Sequence, residues 1–127
     1  MGEEMVGREM LFTHVREQYG VEPEYLWART PTYAVLRHQG NGKWFAAVLD
    51  VPKNRLGLGG EELVDILDIK CGPAMVGSLL GRAGFLPAYH MNKNHWITIL
   101  LDGSVAWEEI EQLLFLSYRA TQTKKKG

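Results

Sequence analysis

Residues near both ends of the chain follow a helical pattern. Between residues 5 and 19 the apolar side chains recur every three or four positions, and Gly20 follows as a stop signal. A second long helix is predicted over residues 106–120, with Ile110, Leu113, Leu114 and Ser117 on one side. A short helix is predicted to begin at Gly72-Pro73, because proline fits the first turn of a helix, and to end before Gly84.

The segments between these helices alternate as strands do. Residues 33–38 and 43–51 are predicted strands, and the intervening residues 39–42 contain Asn-Gly, a strong hairpin signal. A further strand is predicted over residues 63–70 and a second hairpin over residues 86–101. The expected fold class is therefore α+β: an antiparallel sheet built from two hairpins and packed by N- and C-terminal helices.

The two hairpins show an internal similarity. Trp44 and Trp96 each open the second strand of a hairpin, and each strand reaches an aspartate six residues later. His38 and His90 both precede these tryptophans by six residues. Two similar hairpins, each with a long strand that starts on a tryptophan, are therefore expected.

Length and composition limit the class of protein. A chain of 127 residues suits one domain, predicted over residues 1–121, followed by a basic disordered tail over residues 122–127. No apolar run approaches the roughly 18 residues of a membrane span, and the acidic N-terminus lacks the layout of a secretory signal. Cys71 is the sole cysteine, so an internal disulfide is excluded. A cytoplasmic monomer without a cofactor is expected.

The net charge of −1 argues against tight nucleic-acid binding, because such domains are usually basic. The charge is unevenly spread, however. Residues 1–27 carry two basic and six acidic groups, whereas residues 28–100 carry eight basic and five acidic groups. A mildly basic middle segment is compatible with weak binding to an anion, and charges spread over solvated surfaces explain the same numbers.

Three chemical motifs have simpler structural explanations. His90 and His95, together with Cys71, suggest a metal site, but the spacing is not a recognised zinc pattern and no metal is expected. Cys71 lies at a predicted helix N-terminus and suggests a nucleophile with a histidine as its base, yet cysteine is more often a small buried side chain. The glycines of residues 57–60 suggest a phosphate loop but lack the following Lys-Ser/Thr, so no catalytic residue is assigned.

Anion contact is the best chemical use of the hairpin tips. Their amide, basic and imidazole groups are of the kinds that bind phosphate oxygens. A tight turn explains Asn92 and Asn94, since asparagine closes such turns, but it does not by itself require Lys93. The candidate contact residues are Arg37, His38, Asn41, Lys43, His90, Asn92, Lys93, Asn94 and His95.

Several blocks of the sequence resemble one family. The segments YAVLRH, NGKWFAAVLDV, VDILDIKCGP and LPAYHMNKNHWITILLDGSV occur in this order, and the likeness extends from about Phe12 to Thr121. Together they resemble the MmcQ/YjbR family of small bacterial proteins. The resemblance implies a compact α+β fold similar to that of CyaY (frataxin-like) and a proposed double-wing arrangement for binding DNA. It implies no enzymatic activity.

Two functions from different classes follow. The first is a weak, largely non-specific DNA-binding module that uses the two hairpin tips. The alternative is a protein-interaction or adaptor domain of the same fold, without catalytic activity, whose surface uses Tyr25, Trp27 or Trp107. Exposure distinguishes them, because an exposed aromatic patch favours a protein partner and basic tips over a concave face favour nucleic acid.

Overall fold

A computed structural model of the protein describes residues 6–122. The predicted basic tail, apart from Gln122, lies outside these residues. The helices and strands, in chain order, are α1 (Arg8–Tyr19), β1 (Ala34–Arg37), β2 (Trp44–Pro52), β3 (Leu63–Lys70), α2 (Pro73–Leu79), β4 (Phe85–Pro87), β5 (Trp96–Leu100) and α3 (Trp107–Thr121). A short 3-10 helix, Lys53–Leu56, follows β2.

The five strands form one antiparallel sheet in the order β1-β2-β3-β5-β4. Both predicted hairpins are present, as the outer pairs β1-β2 and β4-β5, and β3 lies between them. The α+β fold class with an antiparallel sheet and terminal helices is therefore confirmed. The sequence also indicated that β2 and β5 begin at Trp44 and Trp96, and they do.

The terminal helices pack on one face of the sheet. Leu11, Phe12 and Val15 of α1 are buried in the main core, together with Ile110 and Leu114 of α3. Ser117, the polar residue on the inner side of α3, is fully buried. Its hydroxyl donates to the Phe45 carbonyl at 2.6 Å and accepts from the Lys70 amide at 2.9 Å, so it links α3 to two neighbouring strands.

Connecting segments, not helices, cover the other face. A second apolar cluster there is built from residues of β2, β3 and β5 and is covered by half-buried side chains from the connections. The covering residues outside the strands are Tyr33, Leu56, Leu58, Tyr89 and Met91. The molecule is therefore a two-layer α+β domain whose helix-free face is partly covered by loops.

Both edges of the sheet are short. At one edge Glu24 forms an isolated bridge to Val35 of β1, with N–O distances of 2.9 and 3.0 Å. At the other edge β4 has three residues and ends at Pro87.

The boundaries of several elements differ from the predictions, most clearly at α1, α2 and the connection between β4 and β5. The predicted start of α1 was residue 5, but the helix begins at Arg8. Gly7 has extended backbone and is the N-cap residue. α2 ends at Leu79, so a turn separates it from Gly84. Eight residues, 88–95, connect β4 to β5, a wider connection than a tight hairpin turn. Among residues 6–122, no helix is long and apolar enough to cross a membrane.

Candidate nucleic-acid interface

The two hairpin connections lie at the same end of the sheet. Trp44 at the start of β2 pairs with Arg37 at the end of β1, and Trp96 at the start of β5 pairs with Lys70 at the end of β3. β2 and β3 are antiparallel, so the start of β2 and the end of β3 share one end of the sheet. The predicted contact residues of both tips therefore gather at that end.

Most of the first tip is held by internal contacts. His38 is buried, and its Nε2–H donates to the Tyr118 carbonyl at 3.1 Å and lies 2.8 Å from Thr121 Oγ1. Burial lowers the pKa of His38, and the hydrogen bond to Tyr118 opposes this shift. Asn41 donates to the Thr121 carbonyl at 3.0 Å, so the end of α3 fixes this tip.

The two charged candidates of this hairpin differ in environment. Arg37 forms a two-pronged ion pair with Glu24, with N–O distances of 2.7 and 3.0 Å, which offsets its charge. Lys43 is exposed and forms no ion pair within residues 6–122. Lys43 is therefore the cation of the first hairpin that is placed to meet an anion.

The second tip keeps its polar side chains at the surface. Asn92 Oδ1 accepts from the Asn94 amide at 2.8 Å, which is the local turn that asparagine was expected to make. No structural reason for a lysine at position 93 was apparent from the sequence. In the structure Lys93 stabilises the loop, because its Nζ donates to the Ala88 carbonyl at 2.9 Å. Asn92, Lys93, Asn94 and His95 are all exposed.

His90 has an unusual backbone conformation. Its φ of 62° places it in the left-handed region, where residues other than glycine are uncommon but histidine is enriched. Its ring centroid lies 4.0 Å from that of Tyr89. His38 does not have a positive φ, so the two hairpins differ in the backbone conformation of their histidines.

Both hairpins contribute to one cleft on the helix-free face, which we name the aromatic cleft. Trp27, Tyr33 and Trp44 line it from the segment before β1 and from the start of β2, and Ala47 and Leu49 of β2 form its floor. His90 and Met91 line it from the connection between β4 and β5. Its volume is about 340 Å³.

An irregularity in the sheet directs Trp44 into this cleft. Leu36 pairs with Ala46, but the next residue, Arg37, pairs with Trp44, so Phe45 is the extra residue of a bulge. Phe45 packs in the main core under the helices, while Trp44 lines the cleft on the other face. The sequence predicted the strand but not this change of direction, since a bulge interrupts the simple alternation of faces.

Three rings of the cleft meet nearly at right angles. Trp27 lies 5.8 Å from Trp44 with an interplanar angle of 82°, and 6.3 Å from Tyr33 with an angle of 77°. Trp27 is 39% exposed, so the corner that these rings form is open to solvent.

A buried carboxyl lies beside the floor of the cleft. Asp68 of β3 is in register with Ala47 on one side and Thr98 on the other, and it is fully buried. Thr98 donates a hydrogen bond to Asp68 Oδ1, and Asp68 Oδ2 has no hydrogen-bond partner within residues 6–122. Burial raises the pKa of Asp68 to about 7, against the opposing effects of Thr98 and Lys93. The signal in the sequence was an aspartate within an apolar strand.

The surroundings of Cys71 do not activate a thiol. Cys71 is half-buried, and burial raises the pKa of its thiol, whereas an activated nucleophile needs a lowered one. Its hydrogen bond with His95 joins the two backbones, N to O at 2.8 Å. In the described part of the chain, no three His, Cys, Asp or Glu side chains form a group that could hold a metal ion.

The aromatic residues considered for a protein partner differ in exposure. Tyr25, Leu26 and Trp27 are consecutive and are 53%, 46% and 39% exposed. Trp107 is half-buried, and its ring packs edge-on against His14 at 5.3 Å. Of the three aromatic residues considered, the two exposed ones therefore lie in the run 25–27, which borders the aromatic cleft.

Related proteins share this fold and much of the sequence. The YjbR family profile matches residues 16–120. Uncharacterized protein YyaQ of Bacillus subtilis is 42% identical over 118 residues, which are 93% of this chain and all of that protein. A crystal structure of a protein from Pseudomonas syringae is 40% identical, with a TM-score of 0.89, and covers 91% of this chain and 99% of the other.

A more distant structure supports the fold alone. Protein DR2400 of Deinococcus radiodurans is 21% identical with a TM-score of 0.70, over 98% of this chain and 84% of that one. The profile match covers most of the chain, including the strands, hairpins and α3 described above. The chain therefore belongs to the YjbR (MmcQ/YjbR) family.

Proposed function

We propose that this protein binds DNA weakly and with little sequence preference through the end of the sheet that carries both hairpin tips. The observation that carries the proposal is the exposure of six candidate residues at that one end. They are Lys43, His90, Asn92, Lys93, Asn94 and His95. Amide, ammonium and imidazole groups of this kind donate hydrogen bonds to phosphate oxygens.

The spacing of the tips suits one nucleic-acid backbone. In the order β1-β2-β3-β5-β4, the centres of the two hairpins are three strand spacings apart. At about 4.8 Å per spacing, the distance between the two tips is about 14 Å. Along B-form DNA the phosphates of one strand advance about 3.4 Å per nucleotide, so the tips span about four nucleotides.

The charge distribution favours low affinity. Arg37 is paired with Glu24, which leaves Lys43 and Lys93 as the cations among the candidate residues that form no ion pair within residues 6–122, and the chain has a net charge of −1. We expect a dissociation constant of roughly 10⁻⁴ to 10⁻⁶ M at physiological salt, as for other non-specific contacts. The proposal places the protein in the cytoplasm and assigns it no catalytic role.

The test is fluorescence anisotropy with a labelled 20-base-pair duplex and a single strand at two salt concentrations. Lys43 directly precedes β2 and Lys53 directly follows it, so they provide a matched pair at opposite ends of one strand. We expect Lys43→Ala to weaken binding several-fold and Lys53→Ala to leave it unchanged. Equal losses in the two variants, binding that disappears when residues 123–127 are removed, or no binding at all would refute the proposal.

A second candidate function is protein interaction, favoured by the exposed run 25–27. Apolar and aromatic side chains exposed next to one another are typical of protein contact surfaces. A photocrosslinking residue at position 26 would then capture one discrete partner, whereas the same residue at Leu63, which is 61% exposed, would not. Equal crosslinking from both positions would argue against this function.

A further inference from the structure

We propose that the aromatic cleft receives an unpaired base, so that the protein prefers single-stranded nucleic acid to a duplex. This inference rests on the proposed DNA binding and names the form of nucleic acid that the site takes. In a duplex the bases are stacked and paired, and they cannot enter a cleft without being unstacked.

The lining of the cleft matches the flat face of a base. Three aromatic rings, an apolar floor and Met91 surround it, and none of the described residues that line it is Asp, Glu, Lys or Arg. Its volume of about 340 Å³ falls at the small end of the roughly 300–1,000 Å³ typical of pockets for small organic molecules. Aromatic side chains accept any base because every base has a π face.

The ring geometry provides a corner for a planar group. Because Trp27 stands nearly perpendicular to both Trp44 and Tyr33, a base that lies flat on one ring meets the face or edge of the next. Offset-stacked and edge-to-face contacts are the arrangements that aromatic groups prefer. The corner is open to solvent, so a base can enter without a change in the fold.

The lysines at the two hairpin tips favour a nucleotide over an apolar side chain of a protein. Lys43 directly precedes Trp44, and Lys93 follows Met91 by two residues, so each hairpin places a lysine close in sequence to a residue that lines the cleft. Neither lysine forms an ion pair within residues 6–122. A base in the cleft would bring its flanking phosphates towards these two tips. An apolar side chain carries no charge with which the lysines could interact.

The deciding experiment compares a single strand with an abasic strand that has the same number of phosphates, and both with a duplex. We would measure anisotropy with labelled twelve-nucleotide oligothymidine, with an abasic strand of the same length and with the corresponding duplex. We expect oligothymidine to bind best, by roughly tenfold over the abasic strand, because a base that stacks on an aromatic side chain adds to the affinity. Trp27→Ala should abolish this advantage and Trp27→Phe should restore most of it.

The control variant is Trp107→Phe, since Trp107 packs on His14 on the helical side of the molecule. Oligothymidine should quench the tryptophan fluorescence of the wild type and of Trp107→Phe, and quench that of Trp27→Phe less. Circular dichroism would verify that Trp27→Ala is folded, and Trp27→Phe provides the test if it is not.

The outcomes separate the two proposals. Equal affinity for oligothymidine and the abasic strand, or a Trp27→Ala affinity equal to that of the wild type, would overturn base binding while leaving phosphate contact at the tips in place. A duplex that binds as well as the single strand would do the same. Failure of all three ligands to bind would overturn both the base site and the proposed DNA binding.

Discussion

Asp68 and Gly84 each occupy a position where the surrounding structure restricts which side chain fits. Asp68 is fully buried between Ala47 and Thr98 with one carboxyl oxygen unpaired within residues 6–122. Gly84 has a φ of +89°, and a Cβ there would lie 2.5 Å from Cγ2 of Val105 and 2.9 Å from Cβ of Ser104. Neither constraint is visible in the sequence, because each depends on neighbours from other strands or turns.

Asp68→Asn should change how stability depends on pH. The native carboxyl keeps its proton up to a pKa of about 7, whereas the unfolded one loses it near 3.8. Between these values the native state holds the extra proton, so stability falls as pH rises. Denaturant unfolding at about pH 5 and about pH 8 should show that Asp68→Asn removes on the order of 2 kcal/mol of this decline. Parallel pH profiles for the two proteins would contradict the prediction.

Gly84→Ala should destabilise the protein by roughly 1–3 kcal/mol, since both the backbone and Val105 must move. Gly77→Ala is the matched control, because Gly77 lies within α2 and a Cβ there meets nothing within 4 Å. The control should stabilise α2 by up to about 1 kcal/mol. Thermal unfolding of both variants tests the pair, and equal effects would show that Gly84 is not constrained.

At the scale of elements, local patterns identified the helices and strands, but contacts distant in sequence decided the site. Helical spacing, Asn-Gly and strand alternation are properties of neighbouring residues, and they predicted α1, α3 and both hairpins. His38 was expected at a hairpin tip as an anion contact, but it is turned inward by bonds to residues 80 or more positions away. The aromatic cleft was not predicted, because Trp27 lies outside any periodic segment and a bulge redirects Trp44.

Ser117→Ala should loosen the contact between α3 and the sheet. It leaves the Phe45 carbonyl and the Lys70 amide without the partner that Ser117 provides, and a buried group left unsatisfied costs about 1–3 kcal/mol. Ser78→Ala is the control, since Ser78 is exposed on α2 and bonds to the Met75 carbonyl. Denaturant unfolding should show the larger loss for Ser117→Ala. A loss no greater than that of Ser78→Ala would contradict the proposed link.

At the scale of the whole molecule, the balance of charge limits binding. The acidic groups nearly equal the basic ones in number, and five of the eleven Lys and Arg residues within residues 6–122 are paired with acids. Arg8 pairs with Asp65 at 2.9 Å, Arg16 with Glu22 at 3.0 Å and Arg82 with Glu109 at 2.7 Å. Affinity for a polyanion therefore depends on which of the unpaired cations lie at the contact surface.

The salt dependence of DNA binding should accordingly be shallow. If Lys43 and Lys93 contact two phosphates of a single strand, the slope of log K against log salt should be about −1.4, at about −0.7 per phosphate. Lys43→Ala should reduce the magnitude of this slope by about 0.7. Anisotropy titrations at several salt concentrations measure both values. A steep slope that Lys43→Ala leaves unchanged would place the contact elsewhere.

The short edges of the sheet have a consequence for self-assembly. Two copies can join their sheets only through an edge strand with free backbone donors and acceptors. Glu24 already bonds to the middle of β1, and β4 has three residues and ends at Pro87. A second copy of the protein therefore finds little backbone to extend. The same two features disfavour edge-to-edge pairing of the apolar strands between copies of the protein.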